Sequence, residues 1–131
     1  MVAKFNRMGW PVPEDWIITD EGSFLRFDFI GRFSIDSGKA CVDAMVDACL
    51  DHNRSRVLLD CRKMKEDMPL FAQFYVAVYA KKTRDASMRT ALVGREDQVV
   101  HGEFIDNVAM ISGVDARVFT DMEGALRWLQ T

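Results

Sequence analysis

Apolar and polar residues alternate through Phe24-Leu25-Arg26-Phe27-Asp28-Phe29-Ile30. Leu25, Phe27 and Phe29 therefore point one way and Phe24, Arg26, Asp28 and Ile30 the other, the period of two that marks a half-buried strand. A second extended run, Trp16 to Thr19, precedes it, and the turn-forming cluster Asp20-Glu21-Gly22-Ser23 between them predicts a β-hairpin with Phe27 and its neighbours facing the core. Upstream, FNRMGWPVPEDW has no period and carries prolines and a glycine. Residues 1–15 read as a lead-in arm with no element of its own, which Trp10 and Trp16 can pin to the body.

From Ser34 the period becomes helical. Ser34 or Asp36 can cap a helix whose inner stripe is Cys41, Met45, Ala48 and Cys49, with Asp43, Asp47 and Asp51 on the opposite side. Ala40, Ala44 and Ala48 recur at steps of four and allow close approach to a sheet. His52 falls where an imidazolium would complement the negative pole of the helix. Three short apolar runs follow, RVLLD, RTALVG and ARVFT, of the kind expected in strands covered on both faces. Between them lie two helical patterns, MPLFAQFYVAVYAKKTRD and VVHGEFIDNVAMISG. The second has Phe104, Val108 and Ile111 as its stripe and Gly113 as its terminator. A last helix is predicted to start at the box Thr120-Asp121-Met122-Glu123, with Met122, Ala125, Leu126 and Leu129 facing inward.

The order β-β-α-β-α-β-α-β-α predicts a single α/β domain over 16–131. An N-terminal hairpin leads into right-handed βα crossovers, and the five-stranded sheet is mostly parallel, with only the first strand antiparallel. A length of 131 residues suits one domain, and 49% apolar with 28% charged residues argues against extended disorder. A net charge of −3 provides no drive toward nucleic acid or anionic membranes. No apolar run approaches the roughly 20 residues of a membrane span, and the first residues lack the pattern of a secretory leader. Cys41, Cys49 and Cys61 are odd in number and form no Cys-x-x-Cys pair, so they read as free packing thiols of a reducing compartment, and the expected location is cytoplasmic.

In parallel α/β sheets ligands collect beyond the carboxyl ends of the strands. The residues placed there are Gly31, Arg32 and Ser34; Asp60, Arg62 and Lys63; Gly94, Arg95 and Glu96; and Thr120 and Asp121. Asp60 and Arg62 stand two apart on an extended chain and can pair, which makes Asp60, Arg62, Lys63, Gly94 and Arg95 a strand-end corner. An enzymatic reading would rest on Asp60, Arg62 and Arg95. The histidines are His52 and His101, and no Gly-x-Ser-x-Gly elbow or metal-ligand spacing occurs. His101-Gly102-Glu103 lacks the Pro-Cys-x-x-Cys half of a zinc deaminase site. No catalytic residue, metal or cofactor is assigned.

The helix after Pro69 is more telling. Between Leu70 and Ala80 only Gln73 is strongly polar, and Leu70, Phe71, Phe74, Tyr75, Val78 and Tyr79 spread over more than half of the circumference. A surface helix shows an apolar stripe of about 100° or a little more. Each large side chain left wet would forfeit roughly 1.5 to 3 kcal/mol. The cover is the arm with Trp10 and Trp16, a second copy or another protein, or an apolar ligand.

Taken together, RVLLDCR, RTALVG and GVDARVFTDMEGALRWL resemble the SpoIIAA-like family of STAS-type domains, bacterial relatives of the anti-sigma factor antagonists. The likeness runs from about Trp16 to Leu129. VFTDMEGALRWL is its most specific part, supported by Leu59-Asp60-x-Arg62 and Ala91-Leu92-Val93-Gly94. The resemblance implies the βα superhelix shared with Sec14-type lipid-transfer domains, and a regulatory role. Signalling members carry an Asp-Ser-Ser-Gly element whose serine is phosphorylated. Here that corner reads Lys63-Met64-Lys65-Glu66-Asp67-Met68-Pro69, without a hydroxyl, so the phosphoswitch does not carry over. Glu66 and Asp67 complement a helix start, and Pro69 suits a first turn. The expectation is a non-enzymatic regulatory or interaction module that self-associates, or binds another bacterial protein, through helix 70–80. The alternative is a carrier or sensor of a small lipid-like ligand.

Overall fold

The computed structural model describes residues 4–5, 11–12, 16–32, 34–64, 79, 88–96 and 115–131. Its elements are β1 (Lys4–Phe5), β2 (Pro11–Val12), β3 (Trp16–Asp20), β4 (Leu25–Phe29), α1 (Ile35–His52), β5 (Arg56–Asp60), β6 (Arg89–Val93), β7 (Ala116–Phe119) and α2 (Met122–Leu129). Strands β3 to β7 form one sheet in sequence order, with β3 antiparallel to β4 and every later neighbour parallel, as the alternation of patterns requires. The arm departs from expectation: Lys4 pairs with Val12 and Phe5 with Pro11 in a separate two-stranded ladder. A two-residue ladder is too short to show a period, and proline is tolerated where its missing N–H faces away from the partner.

The β3–β4 turn is tied by the Gly22 amide donating to Asp20 Oδ1 at 2.9 Å, with Gly22 at φ 93°, a conformation that favours glycine. The β4 alternation holds, since Leu25, Phe27 and Phe29 are all at most 1% exposed. With Val57 they pack against the α1 stripe of Cys41, Met45, Ala48 and Cys49. Trp16 is buried here too, stacked on Phe29 at a centroid distance of 6.1 Å. The other face of β5 and β6, carrying Leu58, Ala91 and Val93, is covered by Ala125 and Leu129 of α2.

Ser34 caps α1 through a reciprocal box with Ser37: Ser37 N donates to Ser34 Oγ at 3.0 Å and Ser34 N to Ser37 Oγ at 2.8 Å. At the far end the cap is Asn53, the residue after His52. Asn53, at φ 53° and ψ 51°, turns the chain so that the Arg54 amide donates to Cys49 O at 2.9 Å, and the Arg54 side chain donates from Nη1 to His52 O at 3.1 Å. His52 Nδ1 instead lies 3.1 Å from Asp20 Oδ2 on the hairpin turn.

Helix α2 also starts one residue later than its apparent box. Asp121, not Thr120, is the cap, and its carboxylate accepts from Gly124 N at 2.7 Å. An ionised carboxylate at the positive pole of a helix is a strong acceptor. The carboxyl end of α2 is held from the sheet: Arg89 donates to Trp128 O at 3.0 Å with its guanidinium 4.5 Å from the Trp128 ring centroid, and Arg56 donates to Leu129 O. The two helical patterns over 68–85 and 99–113 lie outside the described residues except for Tyr79, which is helical.

Candidate functional site

The parallel register places Asp28 of β4 beside Asp60 of β5, and Asp60 beside Val93 of β6. Two carboxylates directly opposite one another repel. Arg26, two residues back on the same face, bridges them: Nε lies 3.2 Å from Asp28 Oδ2, and Nη2 lies 3.2 Å from both Asp28 Oδ1 and Asp60 Oδ2. Arg62 closes the far side with a fork, its Nε donating to Asp60 Oδ1 at 3.0 Å and its Nη2 to Asp60 Oδ2 at 2.8 Å, while its amide donates to Oδ1 at 3.1 Å.

Asp60 is 3% exposed, whereas the side chain of Arg62 is 43% exposed. Burial pushes the Asp60 carboxyl up, but the hydrogen bonds from Arg62 and the charges of Arg62 and Arg26 outweigh it and hold the group below its ordinary value. Asp60 is thus an ionised buried anchor.

Backbone bonds extend the ladders into this corner, from Cys61 N to Val93 O at 2.8 Å and from Gly94 N to Phe119 O at 2.9 Å. Arg95 of the β6 end donates to the carbonyls of Arg62 and Met64, tying the loop after β5 to its neighbour. Of the five residues expected to form the corner, Asp60, Arg62 and Arg95 are joined by these bonds, Gly94 is buried in the ladder extension, and Lys63 is exposed. Arg26 and Asp28 belong to the site as well. The β4 alternation had put them on one face, and the missing signal was the parallel register that sets Asp28 against Asp60.

Of the other strand-end residues, Ser34 and Asp121 serve as helix caps, the Arg32 carbonyl accepts from Ser37 Oγ at 3.1 Å, Gly31 is buried, and Glu96 and Thr120 are exposed. Cys61 is buried, and burial, followed by the nearby Cys41 and Asp60, raises its thiol far above the ordinary range, so it is not a thiolate nucleophile. Among the described residues no group of three His, Cys, Asp or Glu side chains could hold a metal ion, and no helix is long and apolar enough to cross a membrane.

Of the aromatic surface, Leu70, Phe71, Phe74, Tyr75 and Val78 lie outside the described residues. Tyr79 is half-buried against α1; its hydroxyl donates to Asp43 Oδ1 at 2.6 Å and Lys39 Nζ sits 5.4 Å from its ring centroid. At the opposite end of α1 an open cavity of about 260 Å³ is lined by residues that include Val46, Cys49, Leu50, Arg54, Ser55 and Met88.

Comparison of the sequence with protein-family models and with curated proteins finds no match. Solved structures do match. An anti-sigma factor antagonist from Mycobacterium paratuberculosis superposes with a TM-score of 0.63 at 9% identity, over 92% of this chain and 99% of that one. An uncharacterised protein of the DUF3478 family with a SpoIIAA-like fold, from Shewanella loihica PV-4, gives a TM-score of 0.56 at 16% identity over 87% of this chain and 91% of its own. With the hairpin, the parallel strands in sequence order and α1 and α2 on opposite faces, these matches establish that the chain has a SpoIIAA-like fold.

Proposed function

We propose that the chain is a non-enzymatic regulatory module that works by contact with other protein chains, its own copies among them, through helix 70–80 and the adjoining strand-end corner. The observation that carries this reading is the way the corner's charges hold one another. Asp60 is buried and taken by Arg62 and Arg26, while Arg95 braces the loop carbonyls, so the described side chains build a stiff platform presenting Arg62 and Lys63 rather than a nucleophile beside a base. An anti-sigma factor antagonist among the structural neighbours supports a regulatory role. No hydroxyl stands between Lys63 and Pro69, so this regulation works without phosphorylation there. The carrier reading ranks second. Among the described residues, the cavity beside Leu50 is open and, at about 260 Å³, falls below the roughly 300–1,000 Å³ that enclose a small-molecule ligand.

Sedimentation equilibrium at micromolar concentration tests the proposal. Tyr75→Glu places a charge in the apolar surface of helix 70–80 and is expected to lower the mass of the assembly. Equal masses for both proteins would contradict helix 70–80 as a self-contact.

A further inference from the structure

Among the described residues, strand β3 is an outer strand of the five-stranded sheet, with β4 on its one paired side. Unpaired strand edges template pairing with further chains, and folded proteins guard them with central charges, prolines or bulges. The other outer strand, β7, carries an exposed arginine, Arg117, in its middle. In contrast, β3 reads Trp-Ile-Ile-Thr-Asp, with Ile17 53% and Ile18 40% exposed, β-branched residues at its centre and its single charge at the last position. That charge, Asp20, is engaged by the Gly22 amide, His52 and Arg54.

The hydrogen-bond phase of the hairpin determines which backbone groups face outward. Glu21 N donates to Phe24 O across the turn at 2.9 Å, so residue pairs at steps of two from it, Thr19 with Arg26 and Ile17 with Asp28, are the bonded pairs of the β3–β4 ladder. The N–H and C=O groups of Trp16, Ile18 and Asp20 then point away from β4. A two-fold axis perpendicular to the sheet pairs residues of like parity, and an axis through Ile18 sets Ile18 against its own copy, Ile17 against Thr19 and Trp16 against Asp20. Every outward-facing group thereby meets an outward-facing group, and β-branched residues meet across the seam on both faces.

We propose that β3 is a homodimer seam: two copies pair antiparallel about Ile18 and join their sheets into one continuous sheet. The partner is a second copy because the edge complements itself in hydrogen-bond phase and sets exposed β-branched residues against one another at its centre. The seam lies on a different element from helix 70–80, so the two contacts are separable.

Sedimentation equilibrium in a Tyr75→Glu background reads the seam alone. That protein is expected to remain dimeric. Adding Ile18→Lys sets two like charges opposite each other on the axis and should weaken dimerisation roughly tenfold or more, whereas Ile18→Thr, still β-branched, should retain it. Circular dichroism and urea midpoints matching the parent confirm that each variant is folded. A folded monomer for Tyr75→Glu alone, or a folded Ile18→Lys variant that dimerises as tightly as its parent, overturns the seam. A wild type no heavier than Tyr75→Glu, with Ile18→Lys reducing both to monomers, would sink the helix 70–80 contact and leave the seam standing.

Discussion

The hydroxyl of Tyr79 donates to Asp43 Oδ1 at 2.6 Å, tying this residue to the polar side of α1. The Asp43 hydrogen bond, burial and the Asp43 charge together raise the Tyr79 phenol to about 12. Because this folded value lies above the ordinary phenol value near 10, the contact stabilises fully below the ordinary value and is lost as pH rises through about 12. An absorbance titration of the two tyrosines should therefore show one late step, and Tyr79→Phe should abolish it while costing about 1 kcal/mol in urea unfolding. A Tyr79 titrating near the ordinary value would contradict the bond.

Asp60 anchors the strand-end corner, and removing its charge leaves Arg26 and Arg62 without their shared acceptor. Asp60→Asn is expected to cost about 2 kcal/mol. The pH dependence has the opposite sense to that of Tyr79. The folded value of Asp60 is depressed, so its contribution is present above the ordinary carboxylate value and disappears as pH falls through the lower folded one. The difference in stability between wild type and Asp60→Asn should accordingly shrink on acidification, which urea titrations across the acid range would measure.

At the start of α2, a Cβ added at Gly124 would lie 2.8 Å from Asp121 Oδ2, the atom that caps the helix. Asp121→Ala should cost about 1 kcal/mol, and Thr120→Ala much less. Gly124→Ala ordinarily gains up to about 1 kcal/mol inside a helix, yet here that gain should vanish because the carboxylate must shift, and it should return in the Asp121→Ala background. A double-mutant cycle of thermal unfolding reads the coupling directly.

Much of the architecture was legible because burial imposes a period. Leu25, Phe27 and Phe29 announced a core-facing strand by alternation alone, and Cys41, Met45, Ala48 and Cys49 announced the inner side of α1. The details that went astray depend on competition between adjacent residues of similar chemistry. His52 and Asn53 both suit a helix end, and the left-handed turn of Asn53 decided it; Thr120 and Asp121 both suit a start, and the carboxylate decided it. The Asp60–Arg62 pair followed from two-residue spacing. Arg26 and Asp28 could join it only through the register between β4 and β5, which neither strand's own pattern contains.

The claim that this chain works through protein contact at helix 70–80 is tested most directly by hydrogen exchange at nanomolar and high-micromolar concentrations. Amides of residues 70–80 are expected to become more protected at high concentration in the wild type and to lose that gain in Tyr75→Glu. Exchange in this segment that is the same at both concentrations and in both proteins would contradict the claim.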